Sequence, residues 1–362
     1  MHVELPLDHL EELWPNEFHG TRVGALLHPA SVSSRLEHAS RILEGLSGDL
    51  FQLVAFFGPQ HGYLGHTQDN MLEWKSYEHA RLRIPVHSLY GEHREPTPEM
   101  LRGIDVLLVD LQDVGARYYT FVWTLYLCMR ACEAHGVTVV VLDRPNPING
   151  LTTEGPLLDL AYKSFVGMHP IPVRHGRTIG ELAQQFRDEA FPKCRLSILA
   201  MKNWERAMWF DQTGLTWVMP SPNMPTLDTA TVYPGMCLLE ATNISEGRGT
   251  TRPFEIFGAP FIDAETLSRE LNNLKLPGVF FRANYFQPAF HKFASQLCGG
   301  AQLHVLDRDT FRPFETGIEI IRAIRKLYPE SFAWKQPPYE YEREKLPIQI
   351  LLGAPIDSFF PG

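Results

Sequence analysis

Residues Val137-Thr138-Val139-Val140-Val141-Leu142-Asp143-Arg144-Pro145-Asn146-Pro147 decide the fold. The run from Val137 to Leu142 is rich in β-branched residues and stops abruptly at a charged, proline-bounded loop. A strand buried on both faces needs such a run, and strands of that kind belong to parallel sheets. Upstream, Val23 to Leu27, Leu53 to Phe57, Val86 to Tyr90 and Asp105 to Val109 read the same way, and Leu196 to Ala200 follows downstream. Helical spacing separates them, at Ser34 to Leu46 and Tyr119 to Ala134. Thr178 and Glu181 stand three apart as a capping box for a helix reaching about Phe191. Strands alternating with helices of this length predict an α/β fold with a Rossmann-like, doubly wound, mostly parallel sheet.

At 362 residues the chain is long for one core, so two domains are expected. Trp217 to Pro234 holds four prolines beside Trp, Met and Leu and reads as an ordered loop. Beyond it the pattern becomes α+β. Helices are expected at Ala264 to Leu274 and Glu315 to Tyr328, with strands at Val279 to Arg282 and Gln302 to Leu306. The boundary is placed at 228, giving an N-terminal domain 1–228 that carries the catalysis and a smaller α+β domain 229–362.

The net charge of −9 and pI near 5.9 argue against a nucleic-acid partner. No apolar stretch approaches the length of a membrane span. Met1 to Trp14 carries three Glu and an Asp, unlike a signal peptide, so a cytoplasmic protein is expected. Five cysteines at scattered positions make a poor disulfide framework, and Cys128 and Cys132 read as core thiols on one helix face.

Ligands of a doubly wound sheet bind beyond the carboxyl ends of its strands. The second strand is followed by Gly58-Pro59-Gln60-His61-Gly62, and the fourth by Asp110-Leu111-Gln112-Asp113 and then Arg117-Tyr118-Tyr119. The fifth runs into Asp143-Arg144-Pro145-Asn146-Pro147. Helix capping alone explains an Asp or Asn in one such loop, but three polar loops together point to a site. The first strand leads into His28-Pro29-Ala30, not a G-x-G-x-x-G turn, and no P-loop occurs, so no cofactor is expected. His61, His66 and Asp69 match no strong metal motif, and His61 reads as a hydrogen-bonding or proton-transfer residue held by a tight turn. In the second domain, Asn243 to Pro253 places Glu246 beside Arg248 between glycines. That arrangement suits an anion site or, alternatively, an internal Glu–Arg pair. Asn223 sits in the rigid loop Pro220 to Pro225.

Six motifs in order, Phe57 to Gly62, Asp110 to Thr120, Asp143 to Gly150, His175 to Glu181, Pro220 to Pro225 and Asn243 to Phe254, resemble the NamZ-type exo-β-N-acetylmuramidases. The resemblance runs from about Arg22 to Gly353. It implies a cleft between two domains that removes N-acetylmuramic acid from the non-reducing end of peptidoglycan fragments. It also brings His175 into the candidate site. The family's turn after the second strand reads Pro-Glu-His-Gly, its Glu a candidate catalytic carboxylate, whereas this chain has Gln60. The tail, ending at Gly362, is shorter than the resemblance implies.

Glycoside hydrolysis usually takes two carboxyl groups, and an N-acetyl sugar can use its own acetamide oxygen with an enzymic acid. With Gln60 in place the remaining carboxylates are Asp110, Asp113, Asp143, Glu154 and Glu246. Glu246 and Asp113 are expected to act, with His61 assisting proton transfer. Arg248 is the first cation expected on the lactyl carboxylate, before Arg117 and Arg144. Tyr118, Asp110, Asp143, Asn146, Asn223 and Asn243 complete the expected binding set. Two other readings remain: a sugar-binding protein that lost catalysis at Gln60, and a different hydrolase assisted by a metal on His61 and His66.

Overall fold

The computed structural model describes residues 2–69 and 71–361. They divide into two compact units, neither continuous in sequence. The first takes the chain up to Gly115, then Tyr119–Leu151 and Gly176–Pro222. The second takes Ala116–Tyr118, Thr152–His175 and everything from Asn223 on.

In the first unit seven strands form one sheet: β1 (Arg22–Leu26), β2 (Gln52–Gly58), β3 (Tyr77–Glu78), β4 (Pro85–Ser88), β5 (Val106–Val109), β6 (Thr138–Leu142) and β7 (Leu196–Leu199). Their order is β3-β4-β2-β1-β5-β6-β7, and every pairing except β3 with β4 is parallel. The doubly wound α/β expectation holds. Every residue of β5 and β6 is buried, as their unbroken apolar runs require. Strand β3 escapes a reading of periodicity because it is two exposed residues on the sheet edge.

The helices of this unit are α1 (Leu10–Leu13), α2 (Ala39–Leu46), α3 (Pro98–Leu101), α4 (Phe121–His135) and α5 (Ile179–Glu189). Helix α4 is buried without a break from Phe121 to Met129, so it is a core helix apolar all round, and Cys128 and Cys132 lie inside it as free thiols. Gly136, at φ +68°, ends it. Thr178 and Glu181 close the expected capping box on α5. Helix α2 starts five residues later than its spacing suggests. The Ser33 hydroxyl accepts from the amides of Arg35 and Glu37, and this local bonding outcompetes a helical turn.

The second unit holds a three-stranded antiparallel sheet, β8 (Ile256–Ala259), β9 (Val279–Phe286) and β10 (Cys298–Val305), in the order β8-β10-β9. Its helices are α6 (Leu227–Met236), α7 (Ala264–Asn273), α8 (Pro313–Leu327) and α9 (Pro347–Leu352). Strand β8 and the first half of β10 are hidden in the sequence by glycines. Those glycines are required by backbone contact: a Cβ on Gly300 would run into the Phe257 carbonyl. Helix α6 corrects the expectation of a loop through Pro234. Thr226 caps it by accepting from the Thr229 amide, and Pro234 falls near the far end, where the missing N–H costs a single hydrogen bond. Helices α6 and α8 cross backbone to backbone at Gly235 and Gly317.

Arg117, expected as a substrate cation, is fully buried in this unit with its guanidinium on backbone carbonyls. Its Nη1 donates to the carbonyls of Pro156 (2.8 Å) and Ile171 (3.0 Å), its Nη2 to those of Leu351 (2.9 Å) and Leu352 (2.8 Å). Burial lowers its pKa to about 10, so it stays charged at neutral pH. Tyr118 is also spent on structure: its hydroxyl donates to the Pro234 carbonyl, and its ring meets Tyr233 edge-on at 5.8 Å. Arg117→Met strands four buried carbonyls and is expected to lower the unfolding free energy by about 3–5 kcal/mol. Urea titration followed by circular dichroism measures this, and an unchanged midpoint would return Arg117 to the list of ligand-binding residues.

Candidate active site

Strand β1 lies between β2 and β5, so the strand order reverses at the ends of β1 and β5. That is the switch point at which such sheets bind ligands. Four loops meet there. His28, following β1, is buried, with Nε2 accepting from the Gln112 amide (2.9 Å) and Nδ1 facing the Pro220 carbonyl (3.3 Å). Burial holds its pKa well below the usual histidine value, so it is a neutral cross-link between loops. The Ser31 hydroxyl donates to the Asp110 carbonyl, and Gln112 Nε2 reaches the carbonyls of Asp113 (2.8 Å) and Pro145 (2.9 Å).

Asp110 and Arg144 form a buried two-pronged ion pair, Nη2 to Oδ2 at 2.8 Å and Nε to Oδ1, and Arg144 also reaches the Val32 carbonyl (2.9 Å). The pair staples the loops after β1, β5 and β6, and its fork is occupied by protein. Asn146 is similarly spent, donating to the Arg177 carbonyl (2.9 Å) and accepting from the Ile148 amide (3.1 Å). Asp143 accepts from the amides of Gly180 (2.8 Å) and Arg144 (3.0 Å) and from the Thr178 hydroxyl (3.0 Å), fixing β6 to the start of α5. Burial pushes its pKa up to about 6 against those hydrogen bonds. These four residues, expected to bind substrate, hold the loops in shape through these bonds.

Gln60 and His61 stand at the end of β2. The Thr120 hydroxyl donates to Gln60 Oε1 (2.6 Å), linking this turn to the entry of α4. His61 sits at φ +68°, a conformation a non-glycine residue holds at a cost of about 1 kcal/mol and one that recurs at functional positions. Its Nδ1 donates to the Thr67 carbonyl (2.8 Å), which makes Nε2 the basic nitrogen of the neutral ring. Asp113 Oδ2 accepts from the amide of Gly115 (2.7 Å), itself at φ +82°. A small cavity bordered by Ala30, Gln112 and Arg144 measures about 20 Å³, enough for one water and not for a sugar ring. Among the described residues no three His, Cys, Asp or Glu side chains are grouped to hold a metal ion.

The second unit carries a separate charged cluster. Glu246 is fully buried, with Lys292 Nζ 2.9 Å from Oε2, Arg248 Nε 3.2 Å and His291 Nδ1 3.4 Å from Oε1. Lys292 also donates to the carbonyls of Leu239 and Ile244, both at 2.9 Å. Arg248 lies over the Phe254 ring and donates to Glu240 (2.8 Å), which accepts from the Tyr339 hydroxyl (2.6 Å). Burial alone would raise the Glu246 pKa, but Lys292, Arg248 and His291 pull it down to about 2. Three cations thus hold Glu246 ionised, and Arg248 faces two glutamates while its Nη1 meets no hydrogen-bond partner among the described residues. The internal Glu–Arg pair of the alternative reading is present in this loop. Asn243 donates to the Ser331 carbonyl (2.8 Å) and accepts from the Ala333 amide (3.0 Å), pinning two segments together. His175 and Asn223 are buried in the same unit.

His28 and Gln112 carry one sequence signal, their position at the ends of β1 and β5. Lys292 and Tyr339 carry none, being distant in sequence from the glutamates they serve. Because the folded Glu246 pKa lies below the ordinary 4.5, its contribution to stability is complete above pH 4.5 and lost as pH falls toward 2. Glu246→Gln is therefore expected to cost about 3 kcal/mol at pH 7 and much less near pH 2.5. Guanidinium unfolding at the two pH values measures the difference, and an equal cost at both would contradict the ionic account.

Two family models cover the chain: the N-terminal part of the exo-β-N-acetylmuramidase NamZ at residues 23–228 and its C-terminal part at residues 231–356. The chain is 47% identical over 330 residues to the peptidoglycan β-N-acetylmuramidase NamZ of Bacillus subtilis (strain 168), covering 91% of this chain and 79% of that protein. A crystal structure of a DUF1343 family protein from Bacteroides fragilis NCTC 9343 superposes with a TM-score of 0.87 at 33% identity. A second from the same organism gives 0.74 at 26%. Each match spans 98% of this chain and 89% of the other. With both halves matched in order over nearly the whole length, the chain belongs to the NamZ exo-β-N-acetylmuramidase family.

Proposed function

We propose that this protein hydrolyses the β-glycosidic bond that holds N-acetylmuramic acid at the non-reducing end of peptidoglycan fragments. The observation that carries this reading is the 47% identity to the Bacillus subtilis peptidoglycan β-N-acetylmuramidase over 91% of the chain. The work of catalysis is assigned to the first unit, which lies within the 1–228 span read from the sequence, at the loops that end its strands. Within them Gln60, His61 and Asp113 are the residues proposed to meet the sugar, since they follow β2 and β5, whose ends flank that of β1 where the strand order reverses. The five buried free thiols suit a reducing compartment, and the cytoplasm is proposed as its site of action.

The chemistry requires a proton for the leaving oxygen and an attacking group at the anomeric carbon. His61, as the imidazolium, is proposed to give its Nε2 proton to the leaving oxygen while Nδ1–H stays on the Thr67 carbonyl, and then to take a proton at Nε2 from the water that attacks the anomeric carbon and frees the acetamide. Gln60 accepts the Thr120 hydroxyl through its oxygen, and its amide is proposed to orient the acetamide oxygen that attacks in a substrate-assisted step. Asp113 supplies the carboxylate for the positive charge that develops on the ring. Gln60 also sustains the second reading, a muropeptide-binding protein without turnover, because an amide has no proton to give near neutral pH.

Incubation with MurNAc-β-1,4-GlcNAc and mass spectrometry of the free sugars separates the two. Release of N-acetylmuramic acid is expected, and Gln60→Glu is expected to raise kcat about 10- to 100-fold by restoring an acid beside Thr120. Saturable binding by calorimetry with no release in either protein would leave the binding reading. No release and no binding would remove both.

A further inference from the structure

The second unit carries a groove of about 540 Å³ between the far end of α8 and the segments around Trp334 and Phe360. The volume is that of a small-ligand site. Three cations border it, Arg322, Arg325 and Lys326, and no carboxylate is among its lining residues, in a chain whose net charge is −9. Basic residues in the last turn of a helix also complement its dipole, which by itself accounts for their presence in α8. It does not account for how they are held.

Arg322 is committed, with Nε and Nη2 on the Phe359 carbonyl (3.0 and 2.7 Å) and Nη1 on Glu319 (2.6 Å). Lys326 is 79% exposed and only 3.9 Å from Glu270. Arg325 differs from both. Its guanidinium lies over the Trp334 ring at 5.6 Å and the Phe360 ring at 5.9 Å, and no hydrogen bond or ion pair joins it to another described residue. Two aromatic neighbours restrain the fork without using any of its N–H donors, which is how an arginine is prepared for a planar anion. Trp334 is itself fixed. It packs on Phe332 (4.9 Å) and Phe360 (5.1 Å), and backbone hydrogen bonds tie Ala333 to Asn243 and Lys335 to Ala241. A held cationic fork beside an apolar wall matches a sugar that bears a carboxylate, with the acid on the fork and the C–H face of the ring on the aromatics.

We propose that this groove is a second glycan site that grips a carboxylate-bearing saccharide of the peptidoglycan strand, separate from the bond being cut. The proposal rests on peptidoglycan as the substrate, and it predicts that long or insoluble substrate is retained through Arg325 while a disaccharide is cut without it. The full chain is sedimented with purified, teichoic-acid-free peptidoglycan and, in parallel, with chitin, and turnover of MurNAc-β-1,4-GlcNAc is measured in solution. Arg325→Ala is expected to lower retention on peptidoglycan at least fivefold, and Lys326→Glu, a change at an exposed side chain, about two- to threefold. Both variants are expected to keep disaccharide turnover and melting temperature within twofold and 2 °C of the parent. Chitin, the same kind of polymer without carboxylates, is expected to retain little of any of the proteins.

Unchanged retention in both variants overturns the proposal, as does equal retention on chitin. Retention that appears only with walls still carrying teichoic acid would mean a phosphate ligand and would also overturn it. A parent that fails to cut the disaccharide yet loses peptidoglycan retention on Arg325→Ala would refute the hydrolase reading and leave the groove assignment standing.

Discussion

A parallel strand buried on both faces can present polar side chains only where it ends, because anywhere else they would be sealed from water without partners. Strands β5 and β6 obey this strictly, with every residue buried and the first charged groups at Asp110 and Asp143. The constraint places any chemistry of the first unit at one edge of the sheet. It also sets the first task of the residues there. The chain must turn at that edge while still mostly enclosed, so Asp110, Arg144, Asn146, Asp143 and Gln112 satisfy one another and the backbone. A loop that is rigid enough to orient a sugar is built from the same kinds of residue that would touch it.

Two buried carboxyls show how environment divides such groups. Asp143 meets amides and a hydroxyl, all dipoles, and desolvation wins, so its proton is held to higher pH. Glu246 meets a lysine, an arginine and a histidine, and full charges win by a wide margin. Glu240 and Glu246 together face Arg248 and Lys292, which makes that cluster nearly neutral as a whole. Its value lies in fixing the chain between the 3-10 turn Cys237–Ala241 that follows α6 and strand β8, since a shifted register would strand a charge.

The doubly wound sheet was legible because its signal is local: apolar runs of strand length, each closed by a polar loop. The capping box of α5 and the core character of Cys128 and Cys132 were legible for the same reason. The second unit was harder to read. Its strands are rich in glycine, and the need for Gly258 and Gly300 arises only when neighbouring backbones touch. Helix α6 was masked by Pro234, which is tolerated because it stands near the helix end. Among the site residues, their place at strand ends was readable and their occupation was not. Arg117 and Arg248 look like anion ligands until carbonyls 234 and 235 residues away, or a glutamate network, are seen to use them. Lys292 gives no local hint of its partner because it lies 46 residues from Glu246.

The four carbonyls around Arg117 also impose an order in time. Two of its acceptors, at Pro156 and Ile171, follow it by 39 and 54 residues, but Leu351 and Leu352 follow it by 234 and 235. Until α9 is made, a guanidinium destined for complete burial lacks half of its partners. The first segment of the second unit, Ala116–Tyr118, is translated inside what becomes the first unit and must wait for some two hundred further residues. The burial of Arg117 is therefore complete only once α9 has been made.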